Sequence, residues 1–531
     1  MKHFNIIFEP DDKQVFIHAG ATLLEAASQA GIILNSVCGG KGICKKCLVN
    51  LEPGAKQVLA CQHHVESDLT VTIPAGSRFY EQKILEHGID THLRVQPTVH
   101  EKYRKKKSTK EILGLAVDIG TTTVVAKLIN MVNGKCLATQ AALNPQSRYG
   151  DDVVSRIAYA KNDQNLAELQ MLIIDCINDL IAKLCKLTSI DAKHIYEMCI
   201  VGNTTMNHLF LKLPVEQLGQ APYKAFSLDA HDTPAWRLHL QINPEANVHT
   251  VENIAGFVGS DTTAVALDTG IDSADLMSLA VDIGTNGEIV LGTKDKLYAA
   301  SCAAGPALEG ARISCGSRAV EGAIEAVIVN ENDIDLDVIG NCPPHSICGS
   351  GLIDAVAVML DLGIVDASGR FIKPGNLSPA ILSRIVEQDK QLSFYLFRAA
   401  NVSERAVGER SVFLTQKDIR EVQLAKAAIR AGTKILRRKL GIEEADIEQI
   451  LLAGAFGNYT RPKSAMRIGL LPNVPLERIR FVGNAAGSGA QMILLNSALR
   501  AEAKRLARKI EYIEIANEPD FEAIFVDSMS F

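Results

Sequence analysis

The chain lacks a surplus of either charge. It carries 55 Lys and Arg against 61 Asp and Glu, a net charge of −6 over 531 residues. That balance, with a pI near 6.1, gives no reason to expect a nucleic acid as partner. It also lacks any apolar run of the roughly 20 residues needed to span a bilayer. The longest candidate, near 347–365, is interrupted by Asp354 and Asp361. Acidic residues occupy the N-terminal stretch where a signal peptide would need an apolar segment. These absences predict a cytoplasmic protein with no membrane partner. Cysteine is sparse outside one region: of twelve, four lie between Cys38 and Cys61. A disulfide scaffold would be small and cysteine-dense throughout, so clustered cysteines point to metal instead. The other eight lack ligand spacing and read as core residues.

What is present divides the chain. Residues 1–80 read as a hairpin, a short helix over 22–30 capped by Thr22, a cysteine segment and a closing strand. Residues 81–111 read as a linker whose KYRKKKST stretch is a solvated run or a basic patch for an acidic partner. From Ile112 onward strands and helices alternate, which argues for α/β layers. The string AVDIGT occurs twice, at 116–121 and 280–285, each time ending an apolar strand. Two related halves, 112–275 and 276–531 (the second with a C-terminal tail), suggest a duplicated domain with a site between them.

The cysteine segment has the spacing C-x5-C-x2-C-x13-C, through Cys38, Cys44, Cys47 and Cys61. Thiolates are soft ligands suited to iron–sulfur clusters. Gly39, Gly40 and Gly42 allow the backbone to approach the sulfides closely. The alternative is a four-cysteine zinc site, which would prefer paired C-x2-C knuckles, and only one such pair exists. The spacing therefore predicts a [2Fe–2S] cluster.

A strand ending in Asp, then Gly, then hydroxyl residues suits phosphate. Backbone N–H groups and Thr hydroxyls surround the oxygens, while Asp holds Mg²⁺ through water. The first copy offers Asp118, Gly120, Thr121, Thr122 and Thr123. The second offers Asp282, Gly284, Thr285, Asn286 and Gly287. A third element, ILLAGAFGNYTRP, is an apolar strand entering a Gly turn at Gly454 and Gly457. It resembles the adenosine motif of the actin/Hsp70/sugar-kinase superfamily. In that comparison IVGNTTMNHLFL, with Asn203 and Thr204, lies where catalytic residues are carried, and 252–267 resembles the connecting helix. ATP with Mg²⁺ is the expected ligand. CGSG at 348–351 opens a helix, as a packing turn or a phosphate contact.

Taken together, the chain resembles the reductive activators of corrinoid proteins. The resemblance covers nearly its whole length, and the segment 301–325 looks characteristic, as part of the cleft or as a packing loop. It implies a β-grasp ferredoxin-like domain followed by a duplicated RNase H-like ATPase fold. It implies an ATP-dependent enzyme that passes one electron from the cluster to a corrinoid protein of a methyltransferase system, returning Co(II) to Co(I). A low-potential electron donor and a homodimer are implied with it. Such clusters sit near about −400 mV, so ATP or partner binding must help to shift the equilibrium. Two departures stand out: the tail 490–531 lacks the cysteines of archaeal relatives, and the Cys47 to Cys61 gap is short. Alternative readings are a redox-responsive ATP-binding sensor, an ATP-coupled activator of another low-potential enzyme, and, weakly, a sugar kinase fused to a ferredoxin.

Overall fold

The structure is a computed structural model. It describes residues 2–9, 13–30, 32, 34, 47–52, 56–74, 95–98, 112–150, 152–284, 286–310, 312–330, 332–372, 375–388, 391–399, 411–454 and 460–531. Among them no helix is long and apolar enough to cross a membrane.

The N-terminal domain is a five-stranded sheet, β1 (His3–Glu9), β2 (Lys13–His18), β3 (Leu48–Glu52), β4 (Lys56–Leu59) and β5 (Leu69–Thr72), in the order β2-β1-β5-β3-β4. Helix α1 (Leu23–Gln29) crosses it. Alternation puts Ile6, Phe8, Val49 and Val71 into one core with Leu23, Ala26 and Ala27 of the helix. Thr22 starts α1 as expected: Glu25 N donates to its hydroxyl at 3.2 Å, and Thr22 N donates back to Glu25 at 2.7 Å. This reciprocal pair satisfies two orphan N–H groups of the first turn.

The first half is built on β6 (Leu113–Ile119), β7 (Thr123–Asn130), β8 (Cys136–Leu143), β9 (Ile195–Gly202), β10 (His231–Pro234) and β11 (Asn247–Thr250). The sheet order is β10-β11-β9-β6-β7-β8. The second half repeats this with β12 (Ser278–Ile283), β13 (Gly287–Gly292), β14 (Leu297–Cys302), β21 (Gln449–Ala453), β22 (Ile479–Gly483) and β23 (Glu511–Tyr512). Its order is β22-β21-β12-β13-β14-β23. In both halves the motif strand (β6, β12) lies parallel to one neighbour and antiparallel to the other. The sequence repeat is thus a structural one. Between β14 and β21 the second half inserts two small sheets. One joins β15 (Ala323–Val329), β16 (Ile334–Val338) and β17 (Ser346–Ile347); the other joins β18 (Ile385–Gln388), β19 (Gln391–Phe397) and β20 (Val412–Thr415).

The helices follow as α2 (Val153–Tyr159), α3 (Asp163–Thr188), α4 (Thr204–Leu211), α5 (Ser260–Thr269), α6 (Gly349–Asp361), α7 (Pro379–Arg384), α8 (Gln416–Leu440), α9 (Pro462–Arg467), α10 (Ala485–Leu495), α11 (Ala498–Lys509) and α12 (Phe521–Met529). The outer face of the first sheet packs on α3, and that of the second on α8. Between the sheets, α5, α10 and α11 share one core with residues of both halves, such as Ala116, Cys199, Ala280 and Leu451. There α5 and α10 cross closely, because a Cβ on Gly489 would lie 2.3 Å from Ala264 O. Only glycine permits that approach.

Two expectations are refined. The connecting helix begins at Ser260, not 252, because Asn253 and Ile254 turn the chain first: Ile254 N donates to Val258 O at 3.0 Å. The CGSG turn is a packing turn, since a Cβ on Gly351 would meet Ile324 O of β15 at 2.3 Å. The last strand, β23, has two residues, and a 3-10 turn follows at Ile515–Asn517. Within the linker region, Gln96 is pinned to the second half, donating to Leu495 O at 2.9 Å. The basic stretch at 102–109 lies outside the described residues.

Candidate functional site

Asp118 lies one residue before the end of β6 and Asp282 one residue before the end of β12, so the duplicated topology brings the two together. The charge of Asp282 pushes against Asp118, and Asp261, in the first turn of α5, pushes against both. Loss of bulk water and this crowding raise Asp118 to about 8, Asp282 to about 7 and Asp261, mainly through loss of water, to about 6. Glu288 of β13 joins the group and is raised well above its ordinary range by the same causes. Four carboxylates in one cleft, with Lys127 the charge acting against Asp118, form a well of negative potential. Such a well suits a hard divalent cation with oxygen ligands. Among the described residues no three His, Cys, Asp or Glu side chains could enclose an ion by themselves.

The first phosphate loop is a tight turn. Gly120 N donates to Thr123 O at 3.0 Å, and a Cβ on Gly120 would lie 2.7 Å from that oxygen. Three buried polar side chains brace it. Asn144 Nδ2 donates to Gly120 O at 2.9 Å, and Arg156 Nη2 donates to Thr121 O at 2.6 Å. Asn203 Nδ2 donates to Thr121 Oγ1 at 2.9 Å, while its own Oδ1 caps α4 through Met206 N. Thr122 sits part-buried in the turn and Thr123 is exposed at the start of β7. Thr204 donates its hydroxyl to Ala255 O at 2.5 Å. Asn203 thus meets the loop itself, and Thr204 ties α4 to the segment leading into α5.

The second loop closes through Gly284 N, which donates to Asn286 O at 3.2 Å. Gly287 packs where a Cβ would meet Ile429 of α8 at 2.6 Å. Gly454 follows β21 at a φ of 89°, and a Cβ there would lie 2.4 Å from Asp282 Oδ1. The adenosine-type turn therefore lies directly on the second Asp. Thr285 and Gly457 lie outside the described residues.

Two participants escape a motif search. One is Asp261. The other is Asn484, which hydrogen-bonds Asp118 and caps α10 by accepting from Gly487 N at 2.7 Å. A signal for Asn484 exists: Val-Gly-Asn ends a strand at both 201–203 and 482–484.

In the N-terminal domain Cys47 and Cys61 are buried and form no disulfide. Ala60 N donates to Cys47 O at 2.8 Å, which draws the two segments together. Gln62 Nε2 reaches Cys61 Sγ at 3.8 Å. Two buried cysteines, one beside an amide donor, fit the soft-ligand set of an iron–sulfur centre. Cys38 and Cys44 lie outside the described residues.

Known proteins share this arrangement. Residues 8–66 match the 2Fe-2S iron-sulfur cluster binding domain, 113–274 the RACo middle region, and 276–531 the C-terminal domain of RACo, the ASKHA domain. The corrinoid activation enzyme RamQ of Eubacterium limosum is 34% identical over 99% of both chains. The chain belongs to the family of reductive activators of corrinoid proteins. Another relative of these activators, the [Co(II) methylated amine-specific corrinoid protein] reductase of Methanosarcina barkeri, is 25% identical, covering 79% of this chain and 77% of its own. A solved reductive activator for corrinoid, iron-sulfur protein superposes with a TM-score of 0.75 at 33% identity, covering 99% of this chain and 98% of its own.

Proposed function

We propose that this protein is an ATP-dependent enzyme that reactivates a corrinoid protein by returning one electron to Co(II), restoring Co(I). The observation that carries this is the full-length match to a corrinoid activation enzyme, joined to a cleft whose carboxylates call for a cation. When bound through Cys38, Cys44, Cys47 and Cys61, the [2Fe–2S] cluster supplies a one-electron carrier of low potential.

The remaining roles belong to the chain's own residues. Gly120 to Thr123 and Gly284 to Gly287 offer N–H groups and hydroxyls to the ATP phosphates. Asp118 and Asp282 position Mg²⁺ and water, with Asp261 and Glu288 behind them. Gly454 and Gly457 let the adenosine approach the backbone. Asn203 is a positioning residue, since its amide holds Thr121, and Thr204 positions the connection to α5. Because α5 and α10 cross between the halves, ATP bound to both loops favours one closure of the cleft, which a partner can read. A low-potential donor supplies the electron, the active species is a homodimer, and the setting is the cytoplasm.

Anaerobic visible spectroscopy tests the proposal with purified Co(II) corrinoid protein, this protein, a low-potential reductant and ATP. A Co(I) band should grow only with ATP and vanish in Cys47→Ser. Absence of Co(I) beside an intact cluster spectrum would favour the sensor reading.

A further inference from the structure

A second gathering of carboxylates lies outside the nucleotide cleft, on the inserted sheet of the second half. Glu325 of β15 and Asp337 of β16 come together where β15 carries a bulge: Ile324 faces Val338, and Ala326 already faces Asp337. Bulges re-aim side chains, and this one turns Glu325 toward Asp337. Asp354 of α6 is buried close by, and Arg461 Nε approaches its Oδ2 at 3.4 Å. The positive charge of Arg461 acts on Glu325 and Asp337 as well.

The N-terminal domain occupies this acidic face. Gln29, the last residue of α1, donates one amide group to both acids, at 2.8 Å to Glu325 Oε1 and 2.7 Å to Asp337 Oδ2. Asn341 Nδ2 reaches Phe16 O of β2 at 3.5 Å. His3 and His18, register partners across β1 and β2, bring their charge to Asp337. The fit is incomplete: Asp337 Oδ1 and Gln29 Oε1 are buried with no hydrogen-bond partner. An interface with orphaned polar atoms is held weakly and can be released.

Its two ends connect to the two chemistries. In sequence, Gln29 precedes the cysteine segment of Cys38 to Cys47. Arg461 immediately precedes α9 and follows the adenosine-type turn opened by Gly454. We infer that the face formed by Glu325, Asp337 and Asp354 is a releasable docking socket for the ferredoxin domain of the same chain, keyed by Gln29 and linked to the nucleotide through Arg461. This rests on the proposed function, in which the ferredoxin domain must face the ATPase halves at one stage and a corrinoid partner at another.

Burial and charge pull these acids in opposite directions. Burial first, then Asp337, raise Glu325 to about 7, while Gln29 and Arg461 oppose this. Burial also raises Asp337 against His18, Gln29, His3 and Arg461, and raises Asp354 against Arg461, with Glu25 of α1 adding to the rise. The ferredoxin-domain groups that act on Glu325 and Asp337 thus favour their charged forms, while burial opposes them.

Hydrogen–deuterium exchange on the full, cluster-loaded chain tests the socket. Gln29→Glu places a further carboxylate against Glu325 and Asp337 and should speed exchange in 323–338 and 23–29 by about tenfold, since like charges placed together are costly. Gln29→Lys, which supplies a cation to both acids, should slow it. Mg²⁺–ATP should change exchange in the same peptides, and Arg461→Gln should abolish that change. Equal exchange in wild type and both Gln29 variants would overturn the socket. A nucleotide response that survives Arg461→Gln would overturn the link. Co(I) formation, read separately by its visible band, distinguishes this from failure of the proposed function: Co(I) without any Gln29 effect sinks the socket alone.

Discussion

In the first half the phosphate loop leans on polar side chains. Arg156, wholly buried, holds Thr121 O and Gly150 O, while Asn144 and Asn203 hold Gly120 O and Thr121 Oγ1. In the second half the loop leans on missing side chains: Gly287 makes room for Ile429, and Gly454 makes room for Asp282. Five strands and their pairing are the same, and the sixth is added at opposite edges, β10 beside β11 and β23 beside β14. Duplication preserved the topology that brings two Asp residues together and left each loop to find its own support. The first is fixed by hydrogen bonds, the second by close packing, so the two halves should fail differently.

The sharpest break of this comparison is Gly454→Val. A side chain at positive φ is strained, and its Cβ overlaps Asp282. Strain of about 1–3 kcal/mol plus the clash should weaken ATP binding by about 100-fold by calorimetry, with the cluster spectrum intact. The counterpart in the first half is Arg156→Met. It leaves buried carbonyls without donors and should lower unfolding stability by about 3 kcal/mol in a urea titration. Equal effects of both variants on ATP binding alone would dissolve the distinction.

A smaller effect tests the polar support by pH. His208 of α4 is neutral with a defined tautomer: Nδ1–H donates to Thr204 O at 2.7 Å and Nε2 accepts from Ser227 N at 3.3 Å. Burial lowers it to about 4. A lowered His contributes stability that is complete above pH 6.5 and is lost as pH falls toward 4. Relative to His208→Asn, wild type should lose about 2–3 kcal/mol across that window, followed by denaturation at each pH. The smallest effect is Asp261→Asn. It relieves repulsion in the nucleotide-free cleft, so stability should rise by about 1 kcal/mol, while the added stabilisation by Mg²⁺–ATP shrinks. Thermal melts with and without Mg²⁺–ATP read both.

The same contrast explains what was legible in the sequence. AVDIGT appears twice because the strand-to-turn chemistry must be local, and so Asp118 and Asp282 were found at once. Gly454 was found because a Gly turn after an apolar strand is a local signal too. The brace was not legible. Arg156 lies 35 residues from the carbonyl it holds, and an Arg in an amphipathic helix ordinarily reads as surface. Asp261 lay inside the stretch 252–267 and carried no signal of its own, although it falls in the first turn of α5. Its role comes from the crossing of α5 and α10, set by Gly489 and Ala264 and by no spacing within α5 itself. Gln29 is the extreme case, since it meets acids 296 and 308 residues away.

The central claim is that one cleft, closed by two Asp residues from the two halves, makes the reduction of a corrinoid protein depend on ATP. The most direct test compares Co(I) formation, anaerobically and with excess reductant, between wild type and Asp282→Asn after their cluster spectra are shown to match. The account predicts Co(I) with ATP in wild type and little or none in the variant. Equal Co(I) in both, or Co(I) in wild type without ATP, would contradict it.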